Sequence, residues 1–162
     1  MKEPLFPQIF RLRQRFASHK LNDIPGRIRA ELDRVGVREK VQPGMEVAIT
    51  AGSRGINNIV TILRTVAATI RECGGRPFLV PAMGSHGGGT AEGQREVLRG
   101  YGITEESVGC PIRSSMETVV IGRAPEGFDV HFDRHALNAD FVVVVNRIKP
   151  HTQFTGPIES GL

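Results

Sequence analysis

The feature that most limits the fold is a strand, loop and helix pattern that occurs twice along the chain. Residues 45–50 are an apolar run of strand length, and a glycine-containing loop and a helical spacing of apolar residues follow them. Those apolar residues are Ile56, Ile59, Val60, Leu63, Val66, Ala67 and Ile70, before Gly74-Gly75. Residues 76–82 begin the second unit, whose helix covers residues 91–101. Strands alternating with helices favour right-handed crossovers and a parallel sheet.

The rest of the chain predicts further elements of the same fold. Asn22-Asp23 followed by Pro25 is a helix-start signal, and Gly36 ends that helix. Residues 117–122 and 128–132 resemble the two strands of a hairpin. The unbroken β-branched run at 141–145 is typical of a central parallel strand. We therefore predict an α/β fold with a doubly wound, mainly parallel sheet and helices on both faces.

Length and composition predict one domain and exclude several classes of protein. With 162 residues and 40% hydrophobic content, residues 1–162 suffice for one domain with a core. No apolar run approaches the ~20 residues that a membrane-spanning helix needs, and residues 1–10 lack the order of a secretory signal. We therefore expect a cytoplasmic protein without membrane contact.

The basic charge suggests small anions rather than nucleic acid as ligands, and the cysteines do not suggest a zinc site. The net charge is +4, but the basic cluster near the start is not interleaved with aromatic residues, and the chain has no Trp and one Tyr. We therefore expect no nucleic-acid partner. Cys73 and Cys110 do not form the CxxC spacing of a zinc or redox site.

Ligands of doubly wound sheets bind beyond the carboxyl ends of the strands, and this rule selects three loops. The first contains Gly52, Ser53 and Arg54 and joins a predicted strand to a predicted helix. Backbone N–H groups at a helix start attract anions, and an arginine offers a planar fork to a carboxylate or a phosphate. The alternative is a tight turn whose arginine points into solvent.

The second loop, residues 83–90, places His86 among small residues that include Gly87 and Gly88. Glycines allow another molecule to approach the backbone, and an imidazole at a strand end can pass protons at physiological pH. The alternative is a flexible loop with an incidental histidine.

The third loop, residues 146–152, follows the predicted central strand and contains Lys149, Pro150 and His151. Pro150 restricts Lys149 to an extended conformation and so limits the directions that His151 can take. A surface turn is the alternative. If the loops meet at one edge of the sheet, His86 and His151 could converge on one pocket. Three other histidines are expected to face solvent or to have no role: His19, His131 and His135.

Three passages resemble the lactate racemase-like family in order and approximate spacing. They are residues 52–56 (GSRGI), 81–88 (PAMGSHGG) and 146–152 (NRIKPHT) with 154–161 (FTGPIESG). The resemblance extends from about Pro25 to the last residue. It implies that the chain is the N-terminal catalytic domain of a racemase or epimerase that acts on a small 2-hydroxy acid.

The resemblance also implies a cofactor, the nickel-pincer nucleotide, in which a modified pyridinium mononucleotide holds nickel and accepts the substrate's α-hydrogen as hydride. Hydride can return to either face of the keto acid, so a base is needed on each side. His86 and His151 are similar to these two bases, and Arg54 is similar to the residue that holds the substrate carboxylate. Five residues are assigned to the cofactor: Gly52, Ser53, Gly87, Gly88 and Lys149.

Two features depart from the family pattern. The first loop lacks the aspartate and the Arg-Pro pair of lactate racemases, so lactate is not implied as the substrate. The tethering lysine and the nickel-binding histidine of the family are expected beyond Leu162. We therefore expect an incomplete domain, truncated at its C-terminal end, with poor solubility or self-association through the exposed apolar edge of its sheet.

Two other classes of function use the same residues. A non-catalytic module could bind a nucleotide or a small anion with the three loops and without histidine bases. Metal-dependent hydrolysis by the two histidines would need carboxylates at ligand spacing, and the sequence has none near them.

Overall fold

A computed structural model describes residues 9–15, 20–53, 55–150, 153, 155–157 and 159 of the chain. Its parallel sheet contains β1 (Glu46–Ala51), β2 (Arg76–Pro81) and β5 (Phe141–Val143) in the order β2-β1-β5. A parallel bridge between Leu79 and Ile112 adds a further position outside β2. From one side of the sheet to the other, the segments are Ile112, β2, β1 and β5. Numbered by their order in the sequence they read 3-2-1-4, which is the order of a doubly wound sheet. The predicted α/β class is confirmed.

Two helices, α1 (Ile24–Arg34) and α2 (Val37–Lys40), precede β1. Asp23 begins α1 as predicted, because its carboxylate accepts a hydrogen bond from the N–H of Gly26 at 2.8 Å. Helix α2 was not predicted from the sequence, since its four residues are too few to show an apolar period.

The repeated unit is present as predicted. The longest helix, α3 (Ile59–Glu72), connects β1 to β2, and α4 (Ala91–Gly100) follows β2. Ile56 lies in the loop before α3 rather than in the helix. A short helix, α5 (Glu105–Val108), begins at a capping box between Thr104 and Ser107.

The predicted hairpin forms a sheet of its own. Its strands are β3 (Thr118–Arg123) and β4 (Asp129–Asp133), which pair antiparallel. The last helix, α6 (Arg134–Leu137), follows at once and is capped by the carboxylate of Asp133, which accepts from the N–H of Ala136 at 2.8 Å.

The predicted central position of the run at 141–145 is wrong for the part of the chain that the structure describes. The middle strand is β1, and β5 covers Phe141–Val143 alone. Val144 exposes 62% of its surface. A run of β-branched residues indicates burial between layers but does not fix the number of flanking strands. Self-association through the free edge of β5 stays a prediction.

The sheet is covered on both faces, as predicted. Val47, Ile49 and Ala51 of β1 point into the larger core, which contains Leu32, Leu63, Val66, Ile70, Leu98 and Val108. Ala48 points to the opposite face, where Phe78 and Val80 pack with Ala136 of α6. Alternate residues of one strand thus reach two cores. Within the described ranges, no helix has the length and apolar character needed to cross a membrane.

Candidate functional site

The three selected loops leave the same edge of the sheet. The N–H of Ala82 donates to the carbonyl of Ala51 at 2.8 Å, so β1 and β2 stay joined where their loops begin. On the other side, the hydroxyl of Thr50 accepts from the N–H of Val145 at 2.9 Å and ties the chain after β5 to β1. The strand order switches between β1 and β5, and doubly wound sheets bind ligands at such a point. The first loop therefore lies between the other two.

The second loop is packed against the first turn of α4. Its end forms a 3-10 turn at Gly87–Gly89. The hydroxyl of Thr90 accepts from the N–H of Gly93 at 3.0 Å and donates to the carbonyl of Gly87 at 3.1 Å. The two backbones are so close that a Cβ on Gly87 would lie 2.5 Å from the carbonyl oxygen of Gly93. This packing argues against the flexible-loop interpretation.

His86 has an exposed ring with one nitrogen held in place. Nδ1 lies 2.7 Å from the carbonyl oxygen of Met83, and the same oxygen accepts from the backbone N–H of His86 at 3.2 Å. A carbonyl oxygen can only accept, so Nδ1 carries the proton of the neutral ring. Nε2 is then the nitrogen with a free lone pair.

Gln94 is a part of this loop's support that the sequence analysis missed. It lies on the buried face of α4 with Leu98 and is 3% exposed. Its Nε2 donates to the carbonyl of Gly84 at 2.7 Å. One signal in the sequence could have identified it. Gln94 lies one helical turn before Leu98, so it occupies a position of the inward face where an apolar residue is expected.

The first loop is held by a tyrosine that follows α4. The hydroxyl of Tyr101 donates to the carbonyl of Ser53 at 2.7 Å, and a Cβ on Gly55 would lie 3.8 Å from the tyrosine ring. Gly52 and Ser53 are half-buried. Arg54 lies outside the described residues, so its contact with a substrate carboxylate stays a prediction.

The third loop is described without a gap as far as Pro150. Lys149 is half-buried, whereas Asn146 and Ile148 are exposed. His151 lies outside the described residues. The structure thus brings the described parts of the three loops to one edge of the sheet, and the convergence of His86 with His151 stays a prediction.

A strong ion pair lies at the other edge of the sheet. Arg113 donates to the carboxylate of Glu46 at 2.7 and 3.2 Å, and its guanidinium lies 3.9 Å from the ring centroid of Phe78. The hydrogen bonds from Arg113 lower the pKa of Glu46, and the same bonds raise the pKa of Arg113. Glu46 begins β1, so this pair lies at the amino-terminal ends of the strands, opposite the edge from which the three loops leave.

The family described as lactate racemase N-terminal domain matches residues 20–156. The chain belongs to this family. The match includes all three loops and the first three residues of the passage 154–161, and the suspected family is confirmed. Searches of curated proteins and of solved structures found no significant match.

Lactate racemases imply a nickel-pincer cofactor in general terms. Among the described residues, no three His, Cys, Asp or Glu side chains are grouped as metal ligands would be. Burial raises the pKa of the Cys110 thiol to about 11, and so it disfavours the thiolate form that a metal would bind. The residues that suit a flat cofactor are small ones, since a Cβ on Gly88 or Gly89 would meet nothing within 4 Å. The second loop of this racemase domain therefore has open backbone close to His86 in the sequence.

Proposed function

We propose that this chain is the base-bearing part of an isomerase that racemises or epimerises a 2-hydroxy acid. The observation that carries the proposal is the 2.7 Å contact between Nδ1 of His86 and the carbonyl of Met83. It fixes the tautomer of an exposed imidazole at the ligand-binding edge of a doubly wound sheet, in a lactate racemase domain. A base with one defined free nitrogen is suited to remove a hydroxyl proton.

The chemistry of the first two loops supports a 2-hydroxy acid as the substrate. Such an acid has a carboxylate and a hydroxyl group on neighbouring carbons. We assign the carboxylate to Arg54, whose guanidinium can bind both oxygens, and the hydroxyl to His86. The loops that carry these residues begin side by side, since a Cβ on Gly52 would lie 4.0 Å from the carbonyl oxygen of Ala82.

The strand order supports a second base on the opposite side of the substrate. His86 follows β2 and His151 follows β5, with β1 between the two strands. Neighbouring strands lie ~4.8 Å apart, so the two loops leave the sheet about 10 Å from each other. This distance accommodates one small acid above the end of β1. We therefore assign His151 as the second base.

Hydride acceptance is the chemistry that a bound nickel-pincer nucleotide would supply. We assign five residues to its binding: Gly52, Ser53, Gly87, Gly88 and Lys149. Support is strongest for Gly88, whose backbone faces open space. Gly87 has a second role, because its α-carbon packs against the backbone of Gly93.

In the proposed reaction, Nε2 of His86 takes the hydroxyl proton while the α-hydrogen leaves with its electron pair. A planar 2-keto acid results, and Arg54 retains its carboxylate. Once hydride were returned to the opposite face of the carbonyl carbon, His151, protonated at the start of the reaction, would donate the proton that restores the hydroxyl group. His86 would release its proton to solvent before the next turnover in the same direction. Throughout, the carbonyl of Met83 can accept from Nδ1–H, and so it stabilises the imidazolium that forms on His86.

The test is inversion of α-deuterated 2-hydroxy acids, followed by chiral separation with mass detection. The assay uses the chain loaded with nickel and the pincer nucleotide, alone and within the longest natural polypeptide that carries it. We expect inversion with the deuterium kept on carbon, and a loss of about 10²- to 10⁴-fold in His86→Gln.

His131→Gln is the matched control, because His131 is exposed and its Nδ1 lies 3.0 Å from the hydroxyl of Thr118 in the hairpin. This variant should keep its activity. Wild-type inversion rates in His86→Gln would overturn the assignment of the base. A protein that binds anions but inverts none of the acids would instead be a binding module.

A further inference from the structure

We propose that Gln94 is a positioning residue that holds the His86 loop and thereby keeps Nε2 of His86 free to act as a base. The catalytic part of this inference rests on the proposed function, whereas the effect on the His86 ring does not. Gln94 itself is not assigned to substrate or cofactor, and it acts through the backbone of the second loop.

The loop needs external support because its backbone has wide conformational freedom. Gly84, Gly87, Gly88 and Gly89 all have positive φ angles, of 55°, 66°, 68° and 65°. Glycine enters this region without a steric penalty but also leaves it easily. A loop with such glycines on both sides of His86 holds one conformation only when its neighbours fix it.

Two anchors provide this support, one on each side of His86: the first at Thr90 and Gly93, where α4 begins, and the second at Gln94 within α4. After His86, the carbonyl of Gly87 accepts from the hydroxyl of Thr90, and the backbone of Gly93 packs against it. Before His86, the carbonyl of Gly84 accepts from Nε2 of Gln94 at 2.7 Å. Gln94 gives the Gly84 end of the loop its side-chain hydrogen bond, next to the buried side chain of Met83, which packs in the larger core.

The choice of glutamine supports a positioning role. The side chain is 3% exposed and shares the buried face of α4 with Leu98, where an apolar residue would pack without any desolvation cost. A buried amide is favourable there only because it is hydrogen-bonded. Its acceptor, the carbonyl of Gly84, adjoins the peptide unit that contains the Met83 carbonyl. Gln94 therefore fixes the peptide next to the one that binds Nδ1 of His86.

The test is the tautomer of His86 in Gln94→Met, measured by long-range ¹H–¹⁵N NMR on the full chain. Methionine has a similar size but donates no hydrogen bond. The wild-type ring should be mostly in the Nδ1–H form, and the Nε2–H form should become a major species in the variant. Gln94→Glu provides a second variant of nearly the same shape. At a pH high enough to ionise its buried carboxyl group it also cannot donate, and the tautomer should shift in the same direction.

Thr69→Val is the matched control, because Thr69 is fully buried in α3 and its hydroxyl donates to the carbonyl of Thr65 at 2.9 Å. It removes a buried donor from a backbone carbonyl within a different helix, and it should lower stability without changing the His86 tautomer. An unchanged tautomer in folded Gln94→Met, or in folded Gln94→Glu if the first variant does not fold, would overturn the proposal. So would an equal change in Thr69→Val.

Activity then separates this inference from the proposed function. In the loaded protein, Gln94→Met should lower kcat about 10- to 100-fold, as expected for a misplaced catalytic group, with KM for the hydroxy acid nearly unchanged. If the wild-type protein inverts no hydroxy acid, the proposed function fails while the NMR result still decides the role of Gln94. If the tautomer shifts but kcat is unchanged, Gln94 positions the ring without affecting the reaction, and the catalytic part is refuted.

Discussion

Replacing Gly93 by alanine should destabilise the protein, although alanine is the better helix former. Gly93 lies in the first turn of α4, at the point where the second loop touches the helix. A Cβ there would overlap the carbonyl oxygen of Gly87 and lie 2.6 Å from its carbonyl carbon and 2.8 Å from the hydroxyl oxygen of Thr90. The first two of these are backbone atoms, so no flexible side chain can move aside.

Two opposing effects decide the magnitude. Alanine gains about 1 kcal/mol over glycine within a helix. Overpacking against fixed atoms costs typically ~1–3 kcal/mol, and here the loop must also separate from α4 and lose the contact of Thr90 with Gly87. We therefore expect Gly93→Ala to lower the free energy of unfolding by about 1–2 kcal/mol.

Gly100→Ala is the control in the same helix, because a Cβ on Gly100 would meet nothing within 4 Å. It should leave stability unchanged or raise it by up to about 1 kcal/mol. Denaturant unfolding of both variants measures the difference, and the His86 tautomer reports whether the loop has moved. A Gly93→Ala protein that is as stable as Gly100→Ala, with an unchanged His86 ring, would refute the close packing of loop and helix.

Three further predictions follow from single contacts. Tyr101→Phe removes the hydroxyl that donates to the carbonyl of Ser53. KM for the proposed hydroxy acid should therefore rise, while the free energy of unfolding falls by about 1 kcal/mol. An unchanged KM would contradict this prediction. Burial raises the pKa of Cys110 from 9.0 to about 11, so this thiol should resist alkylation until the protein unfolds. Its contribution to the free energy of unfolding should be lost as pH rises from 9.0 to about 11. Unfolding of Cys110→Ala, measured as a function of pH, should lack that alkaline loss. Arg113 lowers the pKa of Glu46, so the pair stabilises the fold above the ordinary carboxyl pKa and loses its effect as pH falls through the lowered value. Acid unfolding of Arg113→Met should lack this pH dependence. An unfolding curve of the variant against pH that runs parallel to that of the wild type would count against the prediction.

Periodicity predicted the main elements of the fold because each of them is long enough to show its apolar pattern. The spacing in α3 and the run at β1 each correspond to one buried surface. The short helices α2 and α5 lack enough residues for a period, and they were missed. The position of β5 in the sheet was predicted wrongly. Its β-branched residues indicate burial between the layers above and below the sheet, but they do not indicate which strands lie beside it.

The loops of the site were predicted from the sequence, but the residues that support them were not, and the reason is the topology of the sheet. The rule that ligands bind beyond the carboxyl ends of strands selects loops, and the structure brings the described parts of those loops together. It does not select the residues that support them. Gln94 and Tyr101 come after the first two loops in sequence, and Thr90 is the last residue of the second loop. Their contacts depend on how α4 turns toward the sheet. The roles of Arg54 and His151 remain predictions, since both lie outside the described residues.

The second loop shows why glycine content alone is a poor guide to mobility. Four of its glycines have positive φ angles, a region that other residues enter only with strain, so glycine here specifies a shape. Bonds from Thr90 and Gln94 then hold that shape on a helix whose own face is buried. A base that must meet a proton within hydrogen-bond distance benefits from such support, because a displacement of ~1 Å can cost about 10²-fold in rate. The anchored loop therefore favours a catalytic histidine over an incidental one, independently of the family to which the chain belongs.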